Sequence, residues 1–264
     1  MKWNPSTPGE EVYFRVRDDI LPSLHAIKTY WHELHDVFDS LAGSRHFSDY
    51  LHGAMATSAT RRLIHFWRSV GPMTVDAKRF DVMLRYVRGT IFPETDRSAL
   101  APLIRATFSA VEASGRAISN ATRTRVLDTF GLCCYMCGFD LDPAVDSRDP
   151  RFVTLEHLWP NSLGGDSIFE NLMPACNRCQ RDKSHGIPWE WVAVHNTVLD
   201  VDPSDDSLTG VSRASRMARR YRHIMEVCRD NRWTLQEGFR NEGPWGELAF
   251  RPTGTPVTFF DLLA

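Results

Sequence analysis

Four cysteines stand as two Cys-x-x-Cys pairs, Cys134-Tyr135-Met136-Cys137 and Cys176-Asn177-Arg178-Cys179. Together they supply the four thiolates of a closed tetrahedral Zn²⁺ shell. A single pair would serve equally as a redox motif or a disulfide; two pairs bracketing one short segment point to structural zinc. Inside that segment lie Glu156-His157, the turn Gly164-Gly165-Asp166 and Glu170-Asn171-Leu172. A neutral imidazole is a proton acceptor suited to activating water near pH 7. The adjacent carboxylate can hold a hard cation such as Mg²⁺, which needs only one or two protein ligands because it keeps several waters. The bland alternative for His157 is a satisfied histidine at a strand end; its company of carboxylate, carboxamide and thiolates favours the chemical reading.

The elements that must position these groups are short. Arg151-Phe152-Val153-Thr154-Leu155 is β-prone and runs into Glu156-His157, Gly164-Gly165-Asp166 is a turn, and a short helix is expected from Cys176 to about Lys183. Upstream, Asn120 is a candidate cap for a helix reaching Phe130, stopped by Gly131. Cys133 also lies within chelating reach of Cys137, but Cys134 repeats the two-residue spacing of the second pair. Cys228 sits on an apolar helical face as a small hydrophobe.

The first third reads as helices. One apolar stripe runs Leu24, Ile27, Trp31, Leu34, Phe38, Leu41; others cover 62–70, 80–87 and 98–112, with Gly71-Pro72 and Phe92-Pro93 as stops. Residues 200–210 form an acidic loop. Beyond it a helix from Ser212 to Arg229 turns Met217, Tyr221, Ile224 and Cys228 to one side and carries Arg213, Arg216, Arg219, Arg220 and Arg222 elsewhere. Five arginines without an acid among them read as a phosphate-tracking surface, and Lys183 reads as a phosphate contact or a solvated lysine. Trp189 and Trp191 read as core. The proline- and glycine-rich tail suggests short strands.

The 264 residues carry a net charge of −2, so a nucleic-acid partner would be met by local basic patches rather than by the whole-protein field. No apolar run is long enough to span a bilayer, and no apolar signal segment follows Met1. The expectation is a cytoplasmic protein that does not itself cross a membrane.

Glu156-His157, Asn171 and the run Cys176 to Lys183, with Pro160, Gly164-Gly165 and both thiolate pairs, resemble the HNH endonuclease family. Together with the apolar stripes and the basic helix, the resemblance points to a mainly α chain in three parts. An α-helical N-terminal domain would occupy 1–117, a zinc-stapled ββα-metal module 118–191, and a C-terminal region with the basic helix and short strands 192–264. It implies DNA as substrate, His157 as general base, and Asn171 bracing the loop and orienting the His157 ring through its side-chain carbonyl. Glu156 and Gln180 would be the ligands of a catalytic Mg²⁺ or Mn²⁺. The sequence departs from the family pattern at two of these positions: Glu156 stands where Asp is commoner, and Gln180 where Asn or His is usual. His185 is a further candidate ligand, set against its reading as a helix-end residue. The run Leu155-Glu156-His157-Leu158-Trp159-Pro160 with Gly164-Gly165-Asp166-Ser167 is most similar to HNH effectors of bacterial anti-phage systems of the Zorya type II kind, with Septu-like effectors next. That likeness implies other defence-system components as partners.

Overall fold

The computed structural model describes residues 2–21, 45–187 and 209–244, with the side chains at 45–51, 209–216, 218 and 219 outside the description. The expected stripe at 24–41, the acidic loop at 200–208, Trp189, Trp191 and the tail strands fall outside it, as do the side chains of Arg213, Arg216 and Arg219.

Helix α1 (Pro8–Phe14) was not expected from periodicity and starts on a capping box: Thr7 Oγ1 accepts from Glu10 N while Glu10 accepts from Thr7 N, with Pro8 in the first turn. Glu10 is fully buried and also receives Trp3 Nε1 at 2.7 Å; burial pushes its carboxyl above the usual range. A π-helical turn (Arg15–Ile20) extends α1. The long α2 (Arg45–Val70) ends where Gly71-Pro72 opens a 3₁₀ turn. Helices α3 (Arg79–Thr90) and α4 (Arg97–Ser114) follow the apolar stripes, burying Met83 and Val87 from one and Leu100, Leu103 and Ile104 from the other. Helix α5 (Asn120–Phe130) is capped by Ser119, whose Oγ accepts from Thr122 N, one residue ahead of the expected Asn120.

Strand β1 (Val153–His157) pairs antiparallel with β2 (Leu172–Cys176), from Val153↔Cys176 to His157↔Leu172. Helix α6 (Asn177–Lys183) leaves β2 directly. The ββα order is therefore present, with the loop 158–171 closing the hairpin. Helix α7 (Thr209–Asn231) and α8 (Leu235–Glu242) pack on each other and complete the described chain. As expected, Met217, Tyr221, Ile224 and Cys228 are buried.

One contiguous core runs from Trp3 through Leu63, Ile104, Trp159 and Ile224 to Phe239, so the helices and the ββα segment share their buried side chains. Trp159 is the junction: its ring lies 5.2 Å from that of Tyr13 and 6.2 Å from that of Trp3. At Gly9 an added Cβ would stand 2.3 Å from Leu163 O, so only glycine lets α1 approach the loop this closely. Arg68 of α2 locks the same loop by donating to Asn161 O and Asn161 Oδ1, and to Ser114 Oγ. Among the described residues no helix is long and apolar enough to cross a membrane.

Candidate active site and metal centre

The cysteine centre follows from two tight turns. Gly138, at φ 73°, turns the first knuckle so that its N–H reaches Cys134 O, while Tyr135 N donates to Pro174 O and joins the knuckle to β2. Cys176 ends β2 and caps α6, its Sγ accepting from Cys179 N at 3.3 Å. The ligand atoms of Cys134, Cys137, Cys176 and Cys179 all lie within 4.8 Å of one another. Cys137 Sγ and Cys176 Sγ are 3.8 Å apart. A tetrahedron with Zn–S bonds of about 2.3 Å has S···S edges of about 3.8 Å. The residues fit zinc. The neighbouring thiols Cys137, Cys176 and Cys179 pull the Cys134 thiol far below its ordinary range. Cys133 stands outside the cluster, and burial raises its thiol.

His157 is the last residue of β1, opposite Leu172. Its Nε2 is 3.0 Å from Ser167 Oγ, and Ser167 Oγ donates to Arg116 O at 2.8 Å. Burial, with a smaller contribution from the Lys183 charge, pushes the imidazole down to about 4. The ring is therefore neutral at physiological pH.

Asn171 holds the loop rather than the ring. Its Oδ1 accepts from Trp159 N at 2.7 Å, and its Nδ2 donates to Trp159 O and to Asp166 O at 3.0 and 2.9 Å. One carboxamide thus ties the two ends of 159–166 together. The imidazole contact the structure shows is to Ser167 Oγ, while Asn171 Oδ1 accepts from the Trp159 amide. The sequence reading missed Ser167, Asp166 and Arg116. Asp166 Oδ1 accepts from Ser167 N at 2.7 Å and Oδ2 receives Arg116 Nη1 at 3.3 Å.

Glu156 points the opposite way along the strand, into the interior. Its Oε1 receives Lys183 Nζ at 2.7 Å, and the same ammonium donates to His157 O at 2.8 Å. Lys183 is fully buried and lies 5.7 Å from the centre of the Tyr221 ring. Tyr221 OH meets Tyr135 OH at 2.9 Å, so the network reaches the first knuckle. Burial raises the Glu156 carboxyl above its usual range, against the opposing pull of Lys183. The expectation of Lys183 as a surface phosphate contact is corrected: the lysine neutralises Glu156, and a buried carboxylate demands such a partner.

Lys183 takes only Oε1. Glu156 Oε2 has no partner among the described residues and is the kind of hard oxygen Mg²⁺ prefers. Gln180 is half-buried and lies three residues before Lys183 on α6. His185 follows the helix end at Ser184, is exposed, and lowers the Glu156 carboxyl electrostatically while Arg61 Nη2 binds its carbonyl. Among the described residues Glu156 belongs to no cluster of three or more His, Cys, Asp or Glu, so a cation here would have Glu156 as its one anionic protein ligand.

Two of the expected phosphate-tracking arginines are also corrected. Arg220 is buried and donates to Gly243 O, with Glu242 at 3.9 Å. Arg222 is largely buried and pairs with Glu226 at 3.2 Å. The spacing 217, 220, 221, 224 puts Arg220 on the apolar stripe itself, a signal available in the sequence.

The depressed imidazole has a stability consequence. Between pH 6.5 and 4 the unfolded chain binds a proton that the folded chain does not, so His157 makes stability fall as pH falls through that window. From pH 7.5 to 5 the wild type should lose about 2 kcal/mol more than His157→Gln. Urea unfolding of both proteins with zinc bound checks it; equal losses would place the imidazole near its ordinary value.

Residues 134–186 match the HNH endonuclease family. Comparison with curated proteins and with solved structures returns no match. The matched span holds both thiolate pairs, β1, β2, α6, His157 and Asn171.

Proposed function

We propose that the chain is a metal-dependent DNA endonuclease with His157 as general base. The observation that carries this reading is the half-buried His157 at the end of β1, hydrogen-bonded to Ser167 in a ββα unit that carries the four-cysteine cluster. A neutral imidazole in this position takes a proton from water as that water attacks a phosphodiester. Burial keeps the ring unprotonated across the physiological range, and Asn171 keeps the loop around it from shifting. A divalent cation held by Glu156, with Gln180 as the second ligand, supplies charge stabilisation to the phosphate and the leaving oxygen. The one base in this unit acts on one strand at a time, so nicking is the elementary event.

His157→Ala should lower cleavage of supercoiled plasmid with Mg²⁺ or Mn²⁺ by about 100- to 10,000-fold while zinc content stays at wild-type level. If the wild-type protein binds plasmid and leaves it intact with either metal, the nuclease reading fails. The alternative is then a silent zinc module that binds nucleic acid or a protein, a reading favoured by the ammonium of Lys183 on Glu156. A role in anti-phage defence, with further system components as partners, rests on the resemblance of 155–167 alone. Phage plating on cells carrying the chain with its system partners, wild type against His157→Ala, tests it: equal plaque counts reject the role.

A further inference from the structure

The hydroxyl of Ser167 has one hydrogen and two neighbours. Arg116 O, at 2.8 Å, can only accept. The hydroxyl hydrogen must therefore point at Arg116 O, since otherwise two oxygen lone pairs would face each other at contact distance. Toward His157 Nε2, 3.0 Å away, Ser167 Oγ can then only accept. In the neutral ring this makes Nε2 the protonated nitrogen and leaves the lone pair on Nδ1, to which no described residue offers a donor.

Ser167 is itself held at several points. Its N–H is fixed by Asp166 Oδ1, Asp166 Oδ2 is fixed by the Arg116 guanidinium, and Asp166 O is fixed by Asn171. Arg116 lies just past the end of α4, where Gly115 N and Arg116 N fold back onto Glu112 O and Ala113 O. The carbonyl that orders the ring thus belongs to the stretch joining the N-terminal helices to α5.

We propose that Ser167, oriented by the Arg116 main-chain carbonyl, is the positioning residue that fixes the His157 tautomer with its lone pair on Nδ1. This rests on His157 acting as the base, and it adds which nitrogen acts and what sets it. Without the hydroxyl, Nε2–H loses its acceptor. The ring then distributes between tautomers and orientations, and only part of the population presents a base. Substrate contacts are untouched, so the loss belongs in kcat and leaves KM unchanged.

The test uses the full zinc-loaded chain. Long-range ¹⁵N–¹H correlation spectra of the imidazoles, with His157 assigned by its disappearance in His157→Gln, report which nitrogen carries the proton. The wild-type ring should show Nε2–H alone. Ser167→Ala should show a mixture and lose about 10- to 100-fold in kcat, the range for removing a group that orients a working histidine. Ser167→Thr, which keeps the hydroxyl, should restore both the tautomer and the rate. A wild-type ring protonated at Nδ1, or a Ser167→Ala protein with wild-type spectra and kcat, would overturn the proposal. If no variant and no wild type cleaves plasmid, the nuclease reading fails by itself, and the spectra still decide the role of Ser167.

Discussion

Removing zinc should unfold the ββα segment together with α7 and α8 while the α2–α4 packing survives. A zinc ion on the four thiolates would join the first knuckle to the start of α6 through one centre. Apparent zinc affinities in small zinc-folded units amount to about 10–16 kcal/mol at pH 7, against total stabilities of about 5–15 kcal/mol for a domain. The knuckle also seats Tyr135, whose ring meets Phe239 edge-on at 5.0 Å and whose hydroxyl meets Tyr221. Losing the knuckle therefore releases the C-terminal helices. Leu63, Met83, Val87, Leu100, Leu103 and Ile104 are supplied by α2, α3 and α4, helices that lie outside the segment the thiolates bracket, so most of that packing should outlast the centre.

Hydrogen exchange with a chelator should show protection lost in 134–186 and 217–242 and kept in 60–70 and 100–110. Cys176→Ser should reproduce the loss without chelator, because it removes a ligand and the α6 cap at once. Cys133→Ser and Cys228→Ser should bind one zinc per chain, as the wild type does. Unchanged exchange after complete zinc removal, confirmed by metal analysis, would show that the apolar core alone holds the unit.

The four-cysteine cluster and the placing of His157 at a strand end were legible because their signals are local: fixed spacing between like residues, and a β-prone run ending on Glu156-His157. Helices α3 and α4 were legible from apolar period alone. Strand β2 was not, because Leu172-Met173-Pro174-Ala175-Cys176 is buried at every position and shows no alternation, and Pro174 argues against a strand. Helix α8 was readable and missed: Thr234-Leu235-Gln236-Glu237 is a capping box, and the structure makes both of its hydrogen bonds. Lys183 was misread for a different reason. Its partner Glu156 lies 27 residues away, and nothing in a helical period reveals a counter-charge across the hairpin. Ser167 left no trace at all, since a serine after Gly-Gly-Asp is an ordinary turn residue until its hydroxyl is found between Arg116 O and an imidazole.

Lys183→Met should destabilise the protein by about 3–5 kcal/mol at pH 7.5, because it leaves the Glu156 carboxylate buried without a counter-charge. Glu156→Gln alone should cost a similar amount for the converse reason. The double variant Lys183→Met, Glu156→Gln should cost less than either single one, so the cycle returns a coupling at least as large as a single loss, about 3–5 kcal/mol. The pH dependence separates charge from packing. Burial already raises the Glu156 carboxyl in the native protein, and Lys183 is the main force holding it down. Without the lysine the carboxyl rises further, and a raised carboxyl binds its proton more tightly folded than unfolded. The deficit of Lys183→Met should therefore shrink as pH falls, whereas a lost packing contact would leave it constant. The same variant addresses the cation. With the ammonium gone, both Glu156 oxygens are open, so Mg²⁺ should restore part of the lost stability at pH 7.5 in proportion to the logarithm of its concentration. Restoration that persists in the Glu156→Gln background would move the cation elsewhere. Urea unfolding of the four proteins, with and without Mg²⁺, distinguishes a Glu156 that is purely a structural partner of Lys183 from one that also holds the ion.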